Sequence, residues 1–459
     1  MCNPYHQVKF GHFLLPTFNY PLIFLCVVML LLTSCVTAQP YQVDLVKTYY
    51  IDSVNGNDDY DGLSEMHPWK SHKKVESVHL NPGDTVLFAR GSVWQGGIEI
   101  RDSGVKDHPI LISNYGVGAL PKFSNPNWSD HTGNAIRLIG DYIVIDGLYF
   151  HDIAPPPTGL FKTVWSSGAI RILLDANHNV VQNCYFDQVP KAVQSHGEYT
   201  LITHNTMLGK HVLLGSPYWG PIGIQLGIGN QEISYNTIKG FWVKEGHAWG
   251  ADGGAIEMDD GRFHKDNVYI HHNRTIENCG FLEISWRFDI QHRSVRNLRV
   301  AFNVSTDLQS IAFLEAPLFD SHIDHNTFDR THQIDFNSAL EVQIGTPMVR
   351  NNLFILKGPA PYISDDHKVH VINQNNWYYQ LSDPTQIYFP ETAAGNGDPV
   401  LLNLVDGGVS DYHLSEESPL RGGALNLSNE YTVDFDGRLL PKEGAWDVGA
   451  YHFDQTHIK

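Results

Sequence analysis

Helical periodicity is the first thing this sequence lacks. No long segment places apolar residues at i, i+3, i+4 and i+7, which excludes a helical bundle. Cysteine is scarce: there are five in 459 residues, and Cys184 and Cys279 show no metal-ligand spacing. A disulfide scaffold and a zinc module are therefore excluded. Basic residues are also few, 31 Lys and Arg against 50 Asp and Glu, for a formal charge of −19. No basic patch stands out, which argues strongly against a nucleic-acid partner and mildly against a highly anionic one. No HExxH, GxSxG, P-loop or dinucleotide fingerprint occurs in a supporting context.

Long apolar runs are confined to the N-terminus. Lys9 is the only charged side chain before Cys35, and the apolar core Leu22–Leu32 is too short to span a bilayer. Charge, apolar core and small residues in that order are the pattern of an export signal. Leu32-Thr33-Ser34-Cys35 resembles the lipobox of bacterial lipoproteins, which implies lipidation at Cys35, removal of residues 1–34 and an anchor in the membrane. Cleavage after Val36-Thr37-Ala38, releasing a soluble secreted protein, is the alternative. Residues 35–48 then form a tether and 49–459 one domain, with a closing segment from about 386. The protein is expected to be exported, to the periplasm, the outer membrane or the cell surface, and to be a monomer.

What is abundant is a repeat. LITHNT, EISYNT, VYIHHN, LRVAFN, HIDHNT and MVRNNL are brief alternating strands ending in Asn205, Asn236, Asn273, Asn303, Asn326 and Asn352. VVQNCY (Asn183) and INQNNW (Asn376) flank them. Neighbouring asparagines lie 22 to 37 positions apart, as in a solenoid that gains one coil of short strands per repeat. An Asn amide at one bend can hydrogen-bond the backbone of the next coil, so a ladder of asparagines is expected. His204, His271, His272 and His325, beside those bends, read as turn packing.

These segments resemble the right-handed parallel β-helix of the pectate-lyase-like superfamily, and the fold class expected is an all-β single-stranded solenoid. The opening Tyr49–Ser71 and the tail Asp434–Phe453 are similar to the ends of secreted bacterial β-helix enzymes. That fold hosts lyases, hydrolases, epimerases and adhesins, so activity must be argued from the site. Asp434, Asp436 and Asp447 read as turn ties, and the loop Asn57–Asp61 as a solvated turn rather than a calcium loop.

A second strand recurs in each coil: NAIRL (Arg137), GAIRI (Arg171), KAVQS (Gln194), IGIQL (Gln225), GAIEM (Glu257), GFLEI (Glu283), AFLEA (Glu315) and SALEV (Glu341). Side chains alternate faces along a strand, so the aliphatics point inward and one polar residue per coil points outward. The expected column runs Arg, Arg, Gln, Gln and then four Glu. Connections are long on both sides only at the Glu257 coil, with Glu283 next to it, which locates a walled cleft there.

The acids Glu257, Glu283, Asp259 and Asp260 are the candidate catalytic residues. Gln225, Trp219, Trp242, Lys244, His247, Trp249, Trp286, Arg287 and Glu315 are the candidate substrate-binding residues. Flat aromatic faces beside carboxylates suit sugar rings, so the partner expected is a plant or algal polysaccharide or its oligosaccharides. The leading expectation is a glycoside hydrolase, with a carboxylate pair on adjacent coils at the separation retaining hydrolysis uses. The alternative is a calcium-assisted lyase that cleaves a uronate-containing glycan by β-elimination, with Lys244, Arg262, Arg287 or His247 as base. In it Glu257, Asp259, Asp260 and Glu283 hold calcium. The hydrolase requires no cofactor. A pure binding protein would spread its aromatics over many coils, and the two-sided walls at one coil argue against it.

Overall fold

The computed structural model describes residues 45–159, 161–215, 219–244, 251–259, 261–284, 294–331, 340–357, 363–365, 371–381, 394–405 and 410–455. The expected export signal, Cys35 and most of the expected tether lie outside them. Among the described residues there is no α-helix, only three short 3-10 turns. No helix among them is long and apolar enough to cross a membrane.

Short strands stack into three parallel sheets of 12, 11 and 12 strands. One coil contributes one strand to each: Thr200–Thr203, Thr206–Gly209 and Ile222–Leu226 make one full turn. This is the right-handed parallel β-helix that the repeat predicts. The inside is filled by the inward set of each strand. Ile136, Ile170, Val193, Ile224, Ile256 and Leu282 are buried in one continuous core. Aromatics stack within it from coil to coil, as Phe123, Phe150 and Phe186 do. Such rows have the coil spacing that favours offset ring stacking.

The asparagine ladder is present. Asn205, Asn236, Asn273, Asn303, Asn326 and Asn352 each accept, through Oδ1, the backbone N–H of the preceding rung; from Asn236 on, they also accept its side-chain amide. Asn376 closes the run in the same way. One rung is misassigned by sequence. The residue in register above Asn205 is Cys184, and its neighbour Asn183 sits one position earlier at φ 54°. Asn183 shares that place with His204, Tyr235, His272, Phe302 and His325, all in the left-handed region. Their rings stack on one another at 4.7–5.5 Å, so the histidines do pack at turns.

The C-terminal residues 394–405 and 410–455 cover the later coils through a second apolar cluster that includes Leu353, Trp377, Tyr431 and Trp446. Asp434 accepts backbone N–H bonds from Asp436, Arg438 and His452, and Asp447 from Gly422 and Phe453. These are the turn ties expected. Asp436 instead pairs with His413 and Arg438. In the N-terminal loop Asp58 accepts from the Lys70 and Ser71 amides, as in a self-contained turn.

Candidate active site

The outward column lies on the sheet that contains Ile222–Leu226. Glu99, Arg137, Arg171, Gln194, Gln225, Glu257 and Glu283 are in direct register from coil to coil. Glu99 extends the column one coil beyond the expected start. The column breaks after Glu283, where Phe313 takes the next position and Glu341 the one beyond. Glu315 is displaced two residues along its strand, on the same face, so it does not stack on Glu283. The sequence pattern fails there because AFLEAPLF is a strand of eight residues with a bulge before Pro317. A motif aligned by its glutamate cannot see the offset.

Glu257 and Asp259 stand on the face opposite core residues Ile256 and Met258, yet they are only 7% and 8% exposed. Their carboxyls hydrogen-bond to each other, and Gln225 Nε2 donates to Asp259 Oδ2 at 3.0 Å. Burial raises the Glu257 pKa well above the ordinary carboxyl value, and Asp259 and Glu283 add repulsion. Burial also raises Asp259, against lowering by its bonds to Glu257 and Gln225 and by the charges of Lys191 and Lys265. Two buried carboxyls in one hydrogen bond hold a proton between them. Asp259 Oδ1 is buried with no hydrogen-bond partner among the described residues.

Lys191 was not a sequence candidate, and the structure makes it part of the site. It is fully buried and donates from Nζ to the Val164 carbonyl and to Gln225 Oε1. Burial lowers its pKa to about 7, against the pull of Glu257 and Asp259. The readable signal was a lysine where the next coils place Ile222 and Gly254. Lys265 is likewise buried, and it donates to the Gly227 and Phe263 carbonyls.

Two walls cover this floor. The 3-10 turn Phe161–Ser166 is held to it by the Lys191–Val164 bond. Val164, Leu214 and Ile222 form a small apolar cluster, with Trp165 and Trp219 packed against it. Trp219 stands edge-on to Trp165 at 5.4 Å. Trp242 packs edge-on to His211 at 5.2 Å. From the other wall, the Arg262 guanidinium lies 5.7 Å from the Trp165 ring, so side chains from the Arg171 coil and the Glu257 coil meet over the floor. Lys244 is exposed, beside the bridge between Val243 and Asp252. His264 is paired with Glu198 at 3.3 Å. Asp260, His247, Trp249, Trp286 and Arg287 lie outside the described residues, as does the Glu341 side chain.

Calcium has two candidate places. In the cleft, the Glu257 and Asp259 carboxylates are hard donors and Asp259 Oδ1 is left without a hydrogen-bond partner, while the Gln225 amide oxygen is taken by Lys191 Nζ. Glu283 is not drawn into a preformed cage with them. Elsewhere, ligand atoms of His322, Asp324 and Glu430 lie within 4.8 Å of one another and can coordinate a cation. There Arg350 already contacts Asp324 at 2.6 Å and Glu430 at 3.1 Å, so the charge is compensated by protein alone.

Residues 70–284, just under half of the chain, match the family model described as Chondroitinase B. Over 73 residues, 15% of this chain and 5% of the relative, the sequence is 45% identical to lacto-N-biosidase from Bifidobacterium longum subsp. longum. Among solved structures, pectate lyase Pel9A matches with a TM-score of 0.55 at 14% identity, covering 90% of this chain and 98% of that one. XylC in complex with xylose matches with a TM-score of 0.53 at 12% identity, covering 88% and 98%. At these identities the structural likeness is one of architecture: the chain has a pectate-lyase-like parallel β-helix fold.

Proposed function

We propose that the protein is a carbohydrate-active enzyme, a polysaccharide lyase that cleaves a uronate-containing glycan by β-elimination. The observation that carries this reading is the extent of the Chondroitinase B match, residues 70–284, which takes in every floor position from Glu99 to Glu283. The floor chemistry supports it. Elimination needs the uronate carboxylate neutralised so that the C5 proton becomes acidic. Protonated Glu257, held by Asp259, donates a hydrogen bond to that carboxylate. Calcium, if held by Glu257 and Asp259, would supply the same neutralisation.

Lys244 is the base we assign among the described wall cations, because an amine gives up its proton far more readily than the Arg262 guanidinium. Its neutral amine takes the C5 proton, the C5–H electrons form the C4=C5 double bond, and the C4–O4 bond breaks. The resulting ammonium returns a proton to O4. The charges of Lys191 and Lys265 favour the ionised form of Asp259 and so set how tightly the acid pair keeps its proton. The exported location rests on the leader sequence, and lipidation of Cys35 belongs to the same proposal.

The local identity to lacto-N-biosidase favours a second reading, glycoside hydrolysis. Glu257 would then be the general acid, with Glu283 on the next coil as its carboxylate partner. One assay separates the two. Uronate-containing and neutral glycans are incubated with the enzyme and read for unsaturated-uronate absorbance and for reducing ends. The lyase reading expects both signals from the uronate glycan, and reducing ends without absorbance would overturn it.

A further inference from the structure

The same floor carries a second constellation, upstream of the acids, that the cleavage chemistry does not use. Arg171 is partly exposed, and no carboxylate partner of it occurs among the described residues. Its register neighbour Arg137 is another arginine, already paired to Glu99 at 2.6 Å. Burial and the Arg137 charge lower the Arg171 pKa to about 10. On its other side Gln194 is fully buried, and neither atom of its amide has a hydrogen-bond partner. The Nε atoms of Arg171 and Arg137 are unpartnered as well. A buried amide with both ends unsatisfied is costly, so such a cluster in a stable fold points to something that fills it. Gly168 packs against this position: a Cβ there would meet Ile170 O at 3.2 Å and Gln194 N at 3.4 Å.

We infer that Arg171 and Gln194 form an anion subsite that binds a carboxylate or sulfate substituent of the glycan, several sugars away from the bond that is cleaved. The guanidinium fork presents paired N–H donors that match a carboxylate, and the Gln194 amide completes the contact from behind. Arg171 lies three coil steps from Glu257, about 14 Å along the floor at the usual strand spacing. One anionic sugar therefore sits at the acids while another is held at Arg171. The substrate class this defines is a polyanionic glycan with acidic residues at intervals, rather than a neutral chain with one terminal uronate. The inference deepens the lyase reading and rests on it for the identity of the chain, though not for the existence of the subsite.

The test is equilibrium binding to the full chain, which needs no turnover. Alginate hexasaccharide, its carboxyl-reduced neutral counterpart and a chondroitin sulfate hexasaccharide are titrated against wild type, Arg171→Gln and Arg171→Lys. The expected result is at least a tenfold loss of affinity for an acidic hexasaccharide in Arg171→Gln, partial recovery in Arg171→Lys, and unchanged weak binding of the neutral sugar. Loss for alginate identifies a carboxylate as the anion, and loss for the chondroitin sulfate alone identifies sulfate. Equal binding of wild type and Arg171→Gln to every acidic sugar overturns the subsite, as does an equal loss for the neutral one. Thermal unfolding of each variant shows whether a loss reflects misfolding, in which case the folded Arg171→Lys variant decides. Carboxylate-dependent binding without any unsaturated product would leave the subsite standing and remove the lyase reading.

Discussion

At the scale of single residues, the site is governed by one proton. Glu257 is raised by burial and by its acidic neighbours, so its neutral form persists above the pH at which an exposed glutamate ionises. As pH rises through the folded pKa, the donor and the favourable contribution to stability are lost together. The lyase reading therefore expects kcat/KM to fall on the alkaline side. Glu257→Gln, which keeps a donor, should retain activity and flatten that limb, while Glu257→Ala loses about 100-fold. A Gln variant as inactive as the Ala variant would favour the hydrolase. Lys191 is the second lever. Its charge lowers the Asp259 pKa, so Lys191→Met should strengthen the shared proton and move the alkaline limb to higher pH, as a pH–rate profile would show. Glu257 and Asp259 were legible from their alternation with core residues. Lys191 was not, because its one trace, a lysine where the next coils place Ile222 and Gly254, does not repeat.

Strands and bends carry the order of the solenoid. Asn303 is typical: its amide donates to the Ile270 and Ala301 carbonyls and to Asn326, while its Oδ1 accepts from Asn273. Asn303→Ala strands several buried groups at once and should cost at least about 1–3 kcal/mol in denaturant unfolding. Cys184 interrupts the ladder at its upstream end, where its thiol is pushed up to about 12 by burial and stays unreactive. Sequence placed that rung at Asn183 because an asparagine stood one position away. The residue before the rung must adopt a positive φ, and Asn tolerates that conformation as well as it makes ladder bonds. Residue identity alone cannot separate the two jobs. The displacement of Glu315 has the same origin, since an outward glutamate two positions along a strand keeps its face and loses its register.

For the molecule as a whole, the C-terminal segment matters as much as the repeat. A solenoid exposes its core unless neighbouring structure covers it. Here Trp446, fully buried, donates to the Pro441 carbonyl at 2.7 Å and lies 5.3 Å from the His325 ring on the stacked bends. Trp446→Ala should cost about 3–5 kcal/mol, read as a lower unfolding midpoint. The polar fastening is Asp324, which accepts from Arg350 and from the Tyr431 hydroxyl, with Glu430 bridging to Arg350 and Arg299. Burial opposes the charge on Asp324, but the Arg350 contacts win and hold its pKa below the ordinary value. Its contribution is present above the unfolded pKa and is lost only as pH falls through the lower folded one. Arg350→Ala leaves that carboxylate buried and unpaired, for an expected loss of about 3–5 kcal/mol near neutral pH that narrows in acid.

The solenoid, its Asn ladder, the sheet that carries the outward column and the coil at which the acids gather are legible in the order of residues. Those features are periodic, and a period of alternating faces survives in the order of residues. The burial of Glu257 and Asp259 together near Lys191, the packing of Trp219 on Trp165 and of Trp242 on His211, and the unsatisfied Gln194 beside Arg171 emerge only in three dimensions. Each of these depends on loops of unequal length folding over the floor, and burial and partnership between distant coils follow from that path, not from the local pattern.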